Sequence, residues 1–293
     1  MNKTPIILLQ QRDFGQKMNA TFEFAIQNFG PLVKTLAFIA GPSALLTGIA
    51  QGMYQSRMLT VAKPTDPIGV LSQFMVTEYM FVAIFGFITY FLAYASVSSF
   101  MVLYEEKGSS KDITPGEVWI KLTETIWTGI GAQIIAFILI LIGFVFFFFP
   151  GIYLLICFQF ILMIVIREKS SAISSLSRCY TLIKGKWWST FGLIIIISFA
   201  VSIIALVFQL PTLVVTIMNG LGFGSGIANL KGVIIAASVI SMVGSVITQG
   251  LLWIAIGFQY YNLVERLEGS GLRAEIDSLG NADFERPQNE DRF

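Results

Sequence analysis

Apolar residues run through this chain in long blocks, with polar positions gathered in short clusters between them. Six blocks are long enough to cross about 30 Å of hydrocarbon at about 1.5 Å per helical residue. They lie near 32–53, 78–103, 127–149, 151–166, 189–210 and 232–258. The third and fourth are separated only by Pro150-Gly151. Proline cannot continue a helix and glycine supplies a turn, so the pattern predicts two antiparallel spans meeting there.

Between the blocks, three segments repeat apolar residues at helical spacing. The first, from about Asp13 to Phe29, carries Phe14, Met18, Phe22, Ala25 and Phe29 on one stripe. The second opens on Thr114-Pro115-Gly116-Glu117, a capping box with proline at the first helical position, and presents Trp119, Leu122 and Ile126. The third, from about Ser171 to Ile183, aligns Ile173, Leu176, Tyr180, Ile183 and Trp187. Each precedes a span that pairs with the next. This predicts three units of interfacial helix, span out and span back, at about 12–104, 114–169 and 170–265. Juxtamembrane segments that are simply amphipathic would give the same pattern, and both readings stand.

Two segments fit no span. Residues 54–77 are polar. In 211–231 the apolar piece 212–218 is too short to cross, so it is expected to lie on the membrane surface or to dip in as a re-entrant loop. Residues 265–293 read as a polar tail with a short helix near Leu272–Leu279, leaving 1–264 as the membrane domain.

Composition sharpens the class. The chain is 55% hydrophobic and 13% charged. A soluble domain carries about 25% charge, so the apolar excess must face lipid. The net charge of +1 points to no nucleic-acid partner. The fold class is therefore all-α, a polytopic membrane helix bundle of six spans with three cytoplasmic-side interfacial helices. Orientation follows from the basic residues: Arg57, Lys63 and Lys231 fall on one side and the other sixteen of nineteen on the side of both termini. The positive-inside rule makes that side the cytoplasm. Trp119, Trp127, Trp187 and Trp188 gather at the same boundary. Pro5–Gln10 is too short to be a secretory signal.

Candidate chemistry is sparse. There is no histidine, which removes imidazole metal ligation and His-based catalysis. Cys157 and Cys179 have no ligand spacing. No catalytic, cofactor or metal residue is assigned. Ionisable groups inside a span mark function by default, yet Lys34, Glu78 and Glu124 sit only at span edges. The polar residues within spans are Gln133, Gln159 and Gln249, which either bond helix to helix or line a solute groove. Arg167, Lys169, Arg178, Lys184 and Lys186, with Trp187 and Trp188, are candidate contacts to anionic lipid headgroups and also serve as the topology signal.

The stretch 150–193 carries Pro150-Gly151-Ile152-Tyr153 opening a span, a basic exit, a Ser-rich amphipathic helix, and Leu182-Ile183-Lys184-Gly185-Lys186-Trp187-Trp188 leading into the next span. It resembles the membrane domain of bacterial glycerophosphoryl diester phosphodiesterases and of similar standalone multi-pass proteins. The resemblance implies a membrane module in a bacterial inner membrane. The enzymes' soluble barrel has no room in this chain, and no catalytic residue transfers. Two functions follow. The first is a non-enzymatic scaffold or subunit of an envelope assembly, with membrane lipids and cytoplasmic-side proteins as partners. The second is a lipid or small-solute carrier with a groove between the spans.

Overall fold

The computed structural model describes residues 5–60, 77–146, 148–223, 230–269 and 273. Their regular structure is entirely helical. All three amphipathic helices form: α1 (Phe14–Gln27), α5 (Pro115–Thr123) and α9 (Ala172–Ile183). Each starts at a side chain that accepts from a backbone N–H three residues on, namely Asp13 from Gln16, Thr114 from Glu117 and Ser171 from Ser174. Such caps satisfy amides that a helix start otherwise leaves open.

The hairpins between them are α2 (Phe29–Ile39) and α3 (Gly41–Thr60) with α4 (Thr77–Lys107); α6 (Ile126–Phe146) with α7 (Phe148–Cys157) and α8 (Ile161–Glu168); and α10 (Trp187–Gly220) with α11 (Leu230–Glu268). A short 3₁₀ turn, Phe158–Phe160, joins α7 to α8. Each return helix of a hairpin stops at a left-handed residue: Gly108 (φ 68°), Lys169 (φ 49°) and Gly269 (φ 61°). Cap, amphipathic helix, hairpin and left-handed stop thus occur three times over, which matches the threefold unit.

Five helices are long and apolar enough to cross a membrane, and a sixth span forms if α2 and α3 are counted together. The chain is a multi-pass helical membrane bundle. The first span is not the continuous helix expected over 32–53, because α2 and α3 meet at 64°. Pro42 stands in the first turn of α3 and cannot donate to the carbonyl of Phe38, so the helix breaks at Ala40-Gly41.

The turn of the second hairpin falls earlier than Pro150-Gly151. Pro150 sits in the first turn of α7, where its missing N–H costs nothing. Gly151 serves close approach instead: a Cβ there would lie 2.5 Å from the Phe144 ring. The 212–218 piece neither lies flat nor dips, because α10 continues through Pro211 to Gly220. Hydroxyls from the neighbouring helix help to carry this irregular stretch: Ser241 donates to the Phe208 carbonyl (3.0 Å) and bonds Thr212 (2.8 Å). Residues 61–76 and, apart from Arg273, the expected helix at 272–279 lie outside the described residues.

Lengths differ sharply between units. α4, α10 and α11 have 31, 34 and 39 residues, or about 46, 51 and 58 Å. α6 and the combined α7–α8 have 21 residues each, about 31 Å. The second hairpin also leans across the foot of the tall pair. Met163 packs at Gly257, and a helix parallel to α11 would lift Tyr153 about 15 Å toward the far end. Tyr153 instead stacks on Trp187 at the start of α10, its carbonyl 3.3 Å from the indole nitrogen.

Two amphipathic helices turn polar positions toward the protein, whereas α5 buries Val118 and Leu122. α1 buries Lys17 and Thr21 with Ala20 and Phe24, while Phe14 and Ile26 are exposed. α9 buries Ser175 with Cys179, Leu182 and Ile183, while Ile173 and Tyr180 are exposed. In a bilayer the exposed apolar positions meet lipid and the polar ones find partners inside the protein.

Candidate functional site: a polar chamber between helices α3, α10 and α11

At the end that carries the amphipathic helices, the three return helices are tied by charge. Arg167 forks onto Glu105 (2.8 and 2.9 Å), and the Tyr261 hydroxyl donates to the same carboxylate (2.9 Å). The Tyr260 hydroxyl donates to Glu168 (2.7 Å), which also accepts from Arg178 (3.1 Å). Arg178 reaches on to Glu268 as well. Desolvation works against the Arg178 charge, but hydrogen bonds and ion pairing with Glu268 and Glu168 keep its pKa above the usual value. Nearby, Lys107 pairs with Glu117, Lys121 with Glu106, and Lys169 with Glu124. Most charges in this cluster are paired with one another.

The far end is built differently. Gly48 and Gly52, one helical turn apart on α3, lie against the backbone of α11: a Cβ at Gly48 would be 2.7 Å from Val239 Cα, and one at Gly52 2.5 Å from Ile235 Cα. Such small-residue spacing lets two helix backbones touch. The interleaved residues Gln51 and Gln55 line a chamber of about 450 Å³ between α3, α10 and α11. Gln209, Thr212 and Thr216 from α10 and Ser238, Ser241 and Ser245 from α11 also line it. Ser238 donates to the Gln55 carbonyl oxygen (3.2 Å) and the Gln55 amide to Thr216 (3.3 Å). Gln51 and Gln209 have no hydrogen-bond partner among the described residues. Gln209 stands 22 residues beyond Trp187, about 33 Å along α10. The chamber therefore sits near the far boundary of the hydrocarbon. It holds no charged group and no nucleophile beyond hydroxyls, so it can bind through hydrogen bonds.

The glutamines read from sequence are not brought together. Gln133 is on α6 with its Oε1 buried and without a partner among the described residues. Gln159 is in the 3₁₀ turn, where its carbonyl accepts from Tyr94. Gln249 is exposed on α11. None of the three lines this chamber. Gln51, Gln55 and Gln209 were passed over because they fall at the edges of the expected spans; the Gly48/Gly52 spacing was the available signal. Of the expected headgroup contacts, Arg167 and Arg178 are engaged in the ion pairs above, and Lys169 is exposed beside Glu124. Lys184 and Trp188 are exposed, and Lys186 and Trp187 are half-buried. No group of histidine, cysteine or acidic residues suited to a metal occurs among the described residues.

No family model matches the chain, and neither a curated protein nor a solved structure does.

Proposed function

From this multi-pass fold, we propose that the protein is a non-catalytic carrier component that binds a neutral, hydrogen-bonding solute or lipid headgroup in the chamber between α3, α10 and α11. One observation carries the reading: the exposed Gln51 and Gln209 line an uncharged chamber of about 450 Å³ and have no hydrogen-bond partner among the described residues. Their carboxamides are free to bond a polar ligand there, alongside the hydroxyls of Thr212, Ser241 and Ser245. Ligand sites commonly have this size and a few convergent polar groups. The setting belongs to the same proposal: a bacterial inner membrane, both termini cytoplasmic, following the basic-residue distribution, with a layout similar to the phosphodiesterase membrane domain.

A scaffold role with cytoplasmic partners draws less support. The charges on that side are spent on one another, from Lys107–Glu117 to Arg178–Glu268, which leaves fewer to recruit a partner. The test is mass spectrometry of molecules that co-purify in native-membrane nanodiscs. A neutral polar lipid or solute is expected with the wild type, reduced about tenfold per lost hydrogen bond in Gln51→Leu and Gln209→Leu. A wild type bare of such a molecule, or equal retention in both variants, contradicts the proposal.

A further inference from the structure

A second cavity, of about 550 Å³, runs between α1, α2, α10 and α11. Its walls include Phe22, Ala25, Phe29, Leu36, Ile204 and Ile254, and Thr248 is the one residue with a polar side chain among those that line it. Along α11 it extends from Ile254 to Ile247, and five residues beyond Ile254 stands Gln259. From Gln259 to Ile247 is about 18 Å, close to the depth of one leaflet of a roughly 30 Å core.

Beyond the Ile254 end of this apolar groove, the neutral Gln259 holds a buried cation. Its side-chain oxygen accepts from Lys17 (2.7 Å), and its amide donates to Thr190 (2.8 Å). Lys17 is only 3% exposed. Desolvation lowers its pKa, the nearby Arg266 and Lys186 push in the same direction, and Asp13 opposes them. Lys186 is half-buried and Arg266 exposed, and neither has an ion-pair partner among the described residues. The neighbouring Glu265 is buried and already engaged. Elsewhere at this end basic residues meet acids directly, as Arg167 meets Glu105 and Arg178 meets Glu168. Here Lys17, Lys186 and Arg266 outnumber the acids, Asp13 and the already engaged Glu265, beside a groove about one acyl chain long.

We infer that this groove holds one acyl chain of an anionic phospholipid, with the phosphate between Lys186 and Arg266 above the buried Lys17. Charge complementarity selects the occupant: a zwitterionic lipid would supply the chain but bring its own cation to a site already rich in positive charge. The exposed Ile26 and Phe29 leave the groove open to the bilayer, so the lipid enters laterally. The inference uses a different cavity from the polar chamber and stands or falls separately from the proposed carrier function.

The test reconstitutes the full chain in vesicles of phosphatidylglycerol and phosphatidylethanolamine, one part to three, and reads retained lipid by native mass spectrometry. Phosphatidylglycerol is expected well above its bulk share. Lys186→Gln and Arg266→Gln, both outside the packed core, should each cut that enrichment about fivefold, the equivalent of roughly 1 kcal/mol per cation. Ala25→Trp should fill the groove and remove both lipids. Retention in bulk proportion, or enrichment unchanged by the two charge substitutions, overturns the site. Loss of enrichment on adding inorganic phosphate assigns the cations to a free anion and also overturns it.

Discussion

The two ends of this bundle are held by opposite chemistries. At the amphipathic-helix end, Glu105, Arg167, Glu168 and Arg178 lock the three return helices through charge-assisted hydrogen bonds. Tyr94 stacking on Trp253 adds aromatic packing just inside. At the far end α3, α10 and α11 meet through glycines and hydroxyls around a chamber, and the ion pair there, Arg57–Glu78, is half exposed. One end spends its polar groups on structure. The other leaves the exposed Gln51 and Gln209 without partners among the described residues, where the proposed ligand would bond them. Elements that move or bind come from the less tightly held part of a fold, and the contrast places that part at the far end.

The largest effect should come from breaking the charged end. Arg167→Met leaves a largely buried Glu105 with only Tyr261 and should cost about 3 kcal/mol, the low end for a severed buried pair because both partners keep some exposure. Adding Glu105→Gln should recover part of the loss, which a double-mutant cycle of thermal unfolding in detergent would read. If the double variant is worse than the sum of the two, the pair is not the unit of stability. Next, Gly52→Leu forces α3 off α11, since even its Cβ would be 2.5 Å from Ile235 Cα. It should cost about 2 kcal/mol and widen the chamber while leaving amide exchange at the charged end unchanged. A uniform rise in exchange would mean that the two ends are not separate.

Smaller effects sharpen the picture. Lys169 holds φ at 49°, a region strained for side chains other than glycine. Lys169→Gly should stabilise by about 0.5 kcal/mol, because relief of that strain outweighs an exposed ion pair with Glu124. Smallest is the response to acid. Lys107 and the Thr114 amide hold Glu117 below the ordinary carboxylate range, and Lys169 does the same for Glu124. Groups depressed on folding stabilise above their unfolded pKa of about 4.3 and lose that stabilisation as pH falls through the folded values. Between pH 7 and pH 3, amide protection factors, corrected for the slower intrinsic exchange in acid, should therefore fall around α5 and the start of α6 and stay level around the chamber.

The sequence was legible where periodicity decides structure. Apolar blocks and the stripes of Phe14–Phe29 and Ile173–Ile183 revealed the spans and the three amphipathic helices, because burial in lipid imposes those periods directly. Proline was harder to read. Pro42 breaks a helix, Pro211 is absorbed within one and Pro150 opens one. The difference lies in which neighbour supplies the missing hydrogen bond, and no local pattern records that. The stripe of α1 suits an interfacial helix, but its polar side, with Lys17 and Thr21, packs into the protein, which periodicity alone does not reveal. The chamber stayed hidden because Gln51, Gln55 and Gln209 come from helices far apart in the chain. Likewise Glu105 and Arg167, 62 residues apart, gave no sign of pairing.

If the far end binds through its chamber, the chamber must be reachable from water. Cys157 and Cys179 are buried, so an introduced thiol can be read against a quiet background. Ser245→Cys, on the chamber wall, should react with a membrane-impermeant maleimide added to sealed vesicles on the side opposite the termini, at a rate well above that of Ala205→Cys, which is buried on α10. Equal and negligible labelling of the two from that side would mean a dry, closed bundle and would contradict the account.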